Sequence, residues 1–175
     1  MIPNLVSLIS VIKVLISAIV AFITAWLTVK FNLVRERNKG KILIFEIVKK
    51  YFILFYNSFE KGKESSTIKK DRISKEKYLR VIEKIENDFI NLQNNLYYSC
   101  LLENYPSITM TQILISMEIA ELRNREDFAF NAGTVKHFCK LFKAIKKDIP
   151  KKYLKNEVMK NFNHILEFIE KQNLC

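Results

Sequence analysis

Eight small or polar residues punctuate an otherwise apolar N-terminal stretch: Ser7, Ser10, Lys13, Ser17, Ala21, Thr24, Thr28 and Asn32. They recur every three or four positions, close to the helical repeat of about 3.6 residues, so a helix sets all eight on one face. In lipid such a face has a defined chemistry. Small side chains let two backbones approach closely, and hydroxyls can hydrogen-bond to a neighbouring helix. Lys13 is the sole charged residue from Leu5 to Val29, and an ionisable group within a span is by default a functional position. Two blander roles compete: Lys13 can snorkel to the outer headgroups, and Ser and Thr can bond to their own preceding turn. Ser10, Lys13, Ser17, Ala21, Thr24 and Thr28 are therefore the candidate helix-packing or pore-facing residues.

The element that carries them is a transmembrane helix. Leu5 to Val29 covers about 37 Å at about 1.5 Å per residue, against a hydrocarbon core of about 30 Å. A cleaved signal peptide fits poorly, because the apolar run is long and its basic cluster follows it rather than precedes it. Lys30, Arg35, Arg37, Lys39 and Lys41 form that cluster, while no Lys or Arg precedes Leu5. By the positive-inside rule the N-terminus lies outside and the rest of the chain in the cytoplasm of a bacterial inner membrane. Trp26 falls near the cytoplasmic boundary, where an indole is expected. The same five basic residues are candidate contacts for anionic lipid headgroups.

The net charge of +11 is concentrated beside this span. From Lys30 to Arg80 there are 15 Lys/Arg against 6 Asp/Glu, and the remainder from Val81 onward is close to neutral. A basic stretch next to an anchor points to lipid, although a lysine-rich solvated surface gives the same count. Nucleic acid is not expected as a partner, since the aromatics sit at helical core spacing instead of alternating with the basic run.

With 3 Gly and 3 Pro the chain is short of turn formers, which argues for an all-α fold. The expected organisation is an anchor over 1–31, a basic and aromatic juxtamembrane helix over 32–60, a polar linker over 61–74 and a helical domain over 75–175. In the second of these, Ile42, Phe45, Val48, Phe52, Phe55 and Phe59 recur at helical steps, with Ile44, Ile47, Tyr51 and Tyr56 widening the face. Such a helix is buried in the bundle or lies at the membrane surface. Glu46, Lys49 and Lys50 argue against a second span, each costing about 2.5–3.5 kcal/mol at mid-membrane. Gly40 is the one candidate position for a bend in it. Lys75 to Asn104 reads as one helix with a seam of Ile82, Ile85, Phe89, Leu92 and Leu96, stopped by Tyr105-Pro106. A helix from Ile108 to Arg125 should bury Ile113, Met117 and Leu122. Another, N-capped by Thr134 and reaching Asp148, should bury Val135, Phe138, Phe142 and Ile145. The last, Lys151 to Gln172, should bury Leu154, Val158, Phe162, Ile165 and Ile169.

Catalytic chemistry finds no foothold. The chain has no phosphate-binding glycine loop, nucleophile elbow or zinc-binding helix motif. Its two histidines, His137 and His164, lie among apolar helix neighbours and are expected half-buried with backbone partners. Arg123 and Arg125 stand too far before His137 to match the paired motif of small helical ribonucleases of the HEPN type. Glu118, Glu121, Arg123, Arg125, Glu126 and Asp127 read as a solvated face with ordinary helix pairs. Cys100, Cys139 and Cys175 have no metal-site spacing and are expected as reduced thiols. No metal, cofactor or enzymatic activity is expected.

The layout resembles that of many small bacterial and phage membrane proteins, some of them toxin-like defence effectors, and no motif narrows it to a family. The expected function is a single-pass membrane effector that forms a homo-oligomer through its anchor and perturbs or permeabilises the membrane. The alternative is a membrane-tethered adaptor whose bundle recruits a cytoplasmic protein partner.

Overall fold

Helical apolar periodicity with few turn residues leads to an all-helical chain, and the computed structural model describes six helices within residues 3–63, 74–124, 131–149 and 157–171. These are α1 (Pro3–Lys63), α2 (Lys75–Gln93), α3 (Tyr98–Asn104), α4 (Ser107–Asn124), α5 (Ala132–Ile145) and α6 (Glu157–Lys171). Most of the linker expected over 61–74 falls outside the described residues. Internal contacts divide the chain into two units, Met1–Arg37 and Asn38–Cys175, and α1 contributes to both.

In the first unit α1 is the one helix, among the described residues, long and apolar enough to cross a membrane. Its large apolar side chains from Ile9 to Val34 are exposed.

The second unit is a bundle built on the C-terminal part of α1. Ile44, Phe45, Ile47, Val48, Tyr51, Phe52, Leu54 and Phe55 are all buried there. A helix apolar on several sides needs cover on several sides, and here it lies inside a bundle rather than on a membrane surface. Rings of α1, α5 and α6 interlock around it. Tyr51 stacks on Phe138 with centroids 3.8 Å apart and planes 4° apart. Phe52 meets Phe138, Phe142 and Phe162 at 5.9–6.3 Å. These distances lie in the favourable range for aromatic pairs. Gly40 lies within the continuous helix α1. It is buried, and a Cβ built on it would come within 2.5 Å of Leu101 Cδ1, so its missing side chain lets α3 pack close. Lys41 reaches Asp148 at 3.8 Å, and the Tyr105 hydroxyl donates to the same carboxylate.

Helix α2 follows its sequence pattern: Ile82, Ile85, Phe89 and Leu92 are buried, and Ser74 caps it by accepting from Lys77 N. It ends earlier than expected. Asn94 N bonds back to Asn91 O, and Asn95 Oδ1 accepts from Tyr97 N at 2.9 Å. Side-chain turn chemistry of this kind competes with the helix, and Leu96 is left 80% exposed.

Two further expectations are corrected. On α4 the buried face is Ile108, Thr111, Ile115, Glu118, Ile119 and Leu122, whereas Ile113 and Met117 are about half exposed. Apolar residues nearly encircle this helix, so its period fits more than one buried face. On α5 the N-cap is Asn131, whose side chain accepts from Gly133 N at 2.9 Å. Thr134 sits inside the helix and is buried. The buried positions expected on α5 hold, as do Phe162, Ile165 and Ile169 on α6. Leu154 and the Val158 side chain lie outside the described residues.

Candidate functional site

The exposed face of α1 in the first unit is the first candidate. Ser10, Lys13, Ser17, Ala21, Thr24 and Thr28 are all exposed along it. The two threonines close local bonds: Thr24 Oγ1 donates to Val20 O and Thr28 Oγ1 to Thr24 O, each at 2.8 Å. Their protons are therefore satisfied on their own helix, which lowers the cost of placing them in lipid. Their oxygens can still accept from a neighbour.

At the foot of this segment the Lys30 ammonium lies 4.9 Å from the centre of the Trp26 ring, a cation–π distance. Arg35 and Arg37 are exposed. Of the basic cluster, Lys41 is the member drawn into the bundle through Asp148. The remaining exposed cations suit a phosphate-rich surface.

A second cluster is buried in the bundle. Four helices each send one polar side chain to it: Tyr51 from α1, Tyr78 from α2, Glu118 from α4 and Thr134 from α5. All four are buried, Glu118 to 2% exposure. The Tyr78 hydroxyl donates to Glu118 Oε1 at 2.7 Å. Tyr51 and Thr134 are close enough to act on the same carboxyl. Neither completes a hydrogen bond of normal geometry, so Tyr51 OH, Thr134 Oγ1 and Glu118 Oε2 are without partners. No ion pair reaches Glu118 among the described residues. Burial pushes its carboxyl above the usual range, opposed by the Tyr78, Thr134 and Tyr51 hydroxyls and reinforced by the nearby Glu121 charge. Burial also holds the Tyr78 phenol well above its ordinary range.

This cluster corrects the expectation of a solvated acidic face. Glu121 and Arg123 are exposed, and Arg123 pairs with Glu83 of α2 at 2.7 Å, but Glu118 points inward. The periodicity of Ile115, Ile119 and Leu122 was the signal that could have placed Glu118 between buried neighbours.

The histidines and cysteines also differ in part from expectation. His164 is exposed, edge-on to Tyr56 at 5.9 Å. His137 is half-buried with its Nδ1 unpartnered, and desolvation, then Lys140 and Lys136, lower its pKa. Cys100 is a half-buried free thiol. Cys139 is buried but disulfide-bonded, not reduced, and its partner lies outside the described residues. Spacing alone carries no sign of that bond.

Among the described residues no group of His, Cys, Asp and Glu could hold a metal ion. Compared with known protein families, curated proteins and solved structures, the chain has no match.

Proposed function

We propose that this chain is a small single-pass membrane effector that self-associates through the small and polar face of α1 and perturbs or permeabilises the membrane. The observation that carries this is the exposed row of Ser10, Lys13, Ser17, Ala21, Thr24 and Thr28 on a helix whose large apolar side chains from Ile9 to Val34 are exposed as well. Lipid gains nothing from a groove of small side chains. A second copy gains close packing along it. Because the threonine protons are already used, association rests on packing at Ser17 and Ala21 more than on interhelical hydrogen bonds. Several copies would then bring their Lys13 ammonium groups near one another, and mutual repulsion favours a hydrated centre over a dry one.

The basic flank orients the span with the bundle in the cytoplasm of a bacterial inner membrane, with lipid headgroups as the partners of Lys30, Arg35, Arg37 and Lys39. The Cys139 disulfide argues for the other side, since cytoplasmic thiols are kept reduced.

The test is induction in bacteria with a potential-sensitive dye. The natural chain is expected to depolarise the membrane and slow growth. Lys13→Leu is expected to abolish depolarisation while leaving the protein in the membrane. Equal depolarisation by both chains would return Lys13 to the headgroups, and none by either would remove the permeabilising function.

A second reading, a tethered adaptor, is favoured by one feature of the bundle. Met110, Ile113 and Met117 line an exposed row on α4, bordered by Gln93 of α2. Exposed methionine and isoleucine in a row suit a helical protein partner.

A further inference from the structure

The bundle's buried ionisable group takes no part in the span, the basic flank or the α4 groove. Glu118 lies where α1, α2, α4 and α5 meet, and its environment has a clear electrostatic preference. An ionised carboxylate only accepts hydrogen bonds; a neutral carboxylic acid also donates one. Tyr78 already donates to Oε1. Oε2, Tyr51 OH and Thr134 Oγ1 are all buried and lack partners. The three hydroxyls can donate to the carboxyl in either state, so burial decides: ionisation leaves a charge in a site 2% exposed, with no cation paired to it among the described residues.

We infer that Glu118 is a proton-binding site that locks α1, α2, α4 and α5 together, the bundle closing when the carboxyl holds its proton and loosening when the proton leaves. The groups facing it are Tyr51 of α1, Tyr78 of α2 and Thr134 of α5, with Glu121 on its own helix. Tyr51 and Tyr78 stay neutral as phenols through the acidic and neutral range. The coulombic effect of Glu121 opposes a negative charge at Glu118.

The direction of the pH effect follows. Burial raises the folded-state midpoint of Glu118, so above the ordinary carboxylate range the folded chain still holds a proton that the opened chain has released. Closure is therefore strongest at acidic pH, weakens as pH rises to the folded midpoint, and levels off above it. One proton limits the slope to about tenfold in the opening equilibrium per pH unit. The inference does not depend on what the span does.

The experiment uses the full chain in lipid nanodiscs. Hydrogen-exchange protection of the α5 backbone, Val135 to Ile145, is followed against pH, and infrared spectra read the protonated carboxyl. Protection factors are expected to fall with rising pH by up to about tenfold per unit across the window and then flatten. Glu118→Gln, which mimics the neutral acid, should remove both the slope and the carboxyl band. Tyr78→Phe deletes a donor that favours the charged form and should move the midpoint upward. An unchanged slope in Glu118→Gln overturns the inference, as does a Glu118 carboxyl already ionised at the bottom of the window. If Glu118→Gln does not fold, an unmoved midpoint in Tyr78→Phe overturns it instead.

Discussion

Replacing Phe138 with Ala is expected to destabilise the bundle by about 3–5 kcal/mol, the range for deleting a fully buried aromatic ring. Phe138 has no exposed surface. Its ring stacks on Tyr51 and lies 6.2–6.3 Å from Phe52 and Phe89. It therefore joins α5 to α1 and α2 at once. Removing it leaves a cavity against the Tyr51 ring. Urea unfolding of the full chain in mild detergent, followed by ellipticity, checks this. Leu96→Ala is the control: at 80% exposure it should stay within about 0.5 kcal/mol of the natural chain. Equal midpoints for the two variants would mean that the ring carries no core load.

The second large effect concerns orientation. Paired topology reporters fused after Cys175 are expected to score as cytoplasmic, because Lys30, Arg35, Arg37, Lys39 and Lys41 follow the span. Replacing Arg35, Arg37 and Lys39 with Gln while adding three Lys before Leu5 should invert the result. Redox trapping gives an independent check. In a reducing cytoplasm Cys139 should be an alkylatable thiol once growing cells are acid-quenched and denatured. A Cys139 that is oxidised in living cells, with an active periplasmic reporter, would place the bundle outside.

Much of the fold could be read from residue order, for reasons that differ by helix. In α2, Ile82, Ile85, Phe89 and Leu92 are separated by polar residues except at Ile90, which is left exposed, so a single face is buried. In α6, Phe162, Ile165 and Ile169 mark the centre of one apolar face, which Leu166 and Phe168 widen. In α4 the apolar residues are spread around the axis, and burial went to Ile115 and Ile119 instead of Ile113 and Met117. That choice is made by α2 and α5, not by α4 itself. The break after Gln93 depends on Asn94 and Asn95 using turn bonds.

The candidate sites divide in the same way. The face from Ser10 to Thr28 is a property of one helix, so its spacing appears directly in the sequence. The Glu118 cluster is a property of four helices. A glutamate beside Glu121 reads locally as solvated, and the hydroxyls that surround it come from Tyr51, Tyr78 and Thr134, far away along the chain. Only tertiary packing puts them together.

Self-association through the face of α1 is the central claim, and cysteine crosslinking in membranes tests it most directly. Single cysteines are placed in turn from Ser17 to Thr24 in a chain whose Cys100, Cys139 and Cys175 are replaced, and disulfide dimers are counted after mild oxidation. The expected pattern is helical, with maxima at Ser17, Ala21 and Thr24 and minima at lipid-facing positions such as Ile19 and Ile23. Ala21→Leu, which puts bulk where two backbones must meet, should collapse crosslinking at Ser17 and Thr24, whereas Ile23→Leu should leave it unchanged. Crosslinking that is equal at every position, or absent from all of them, would contradict the claim and leave the helix a passive anchor.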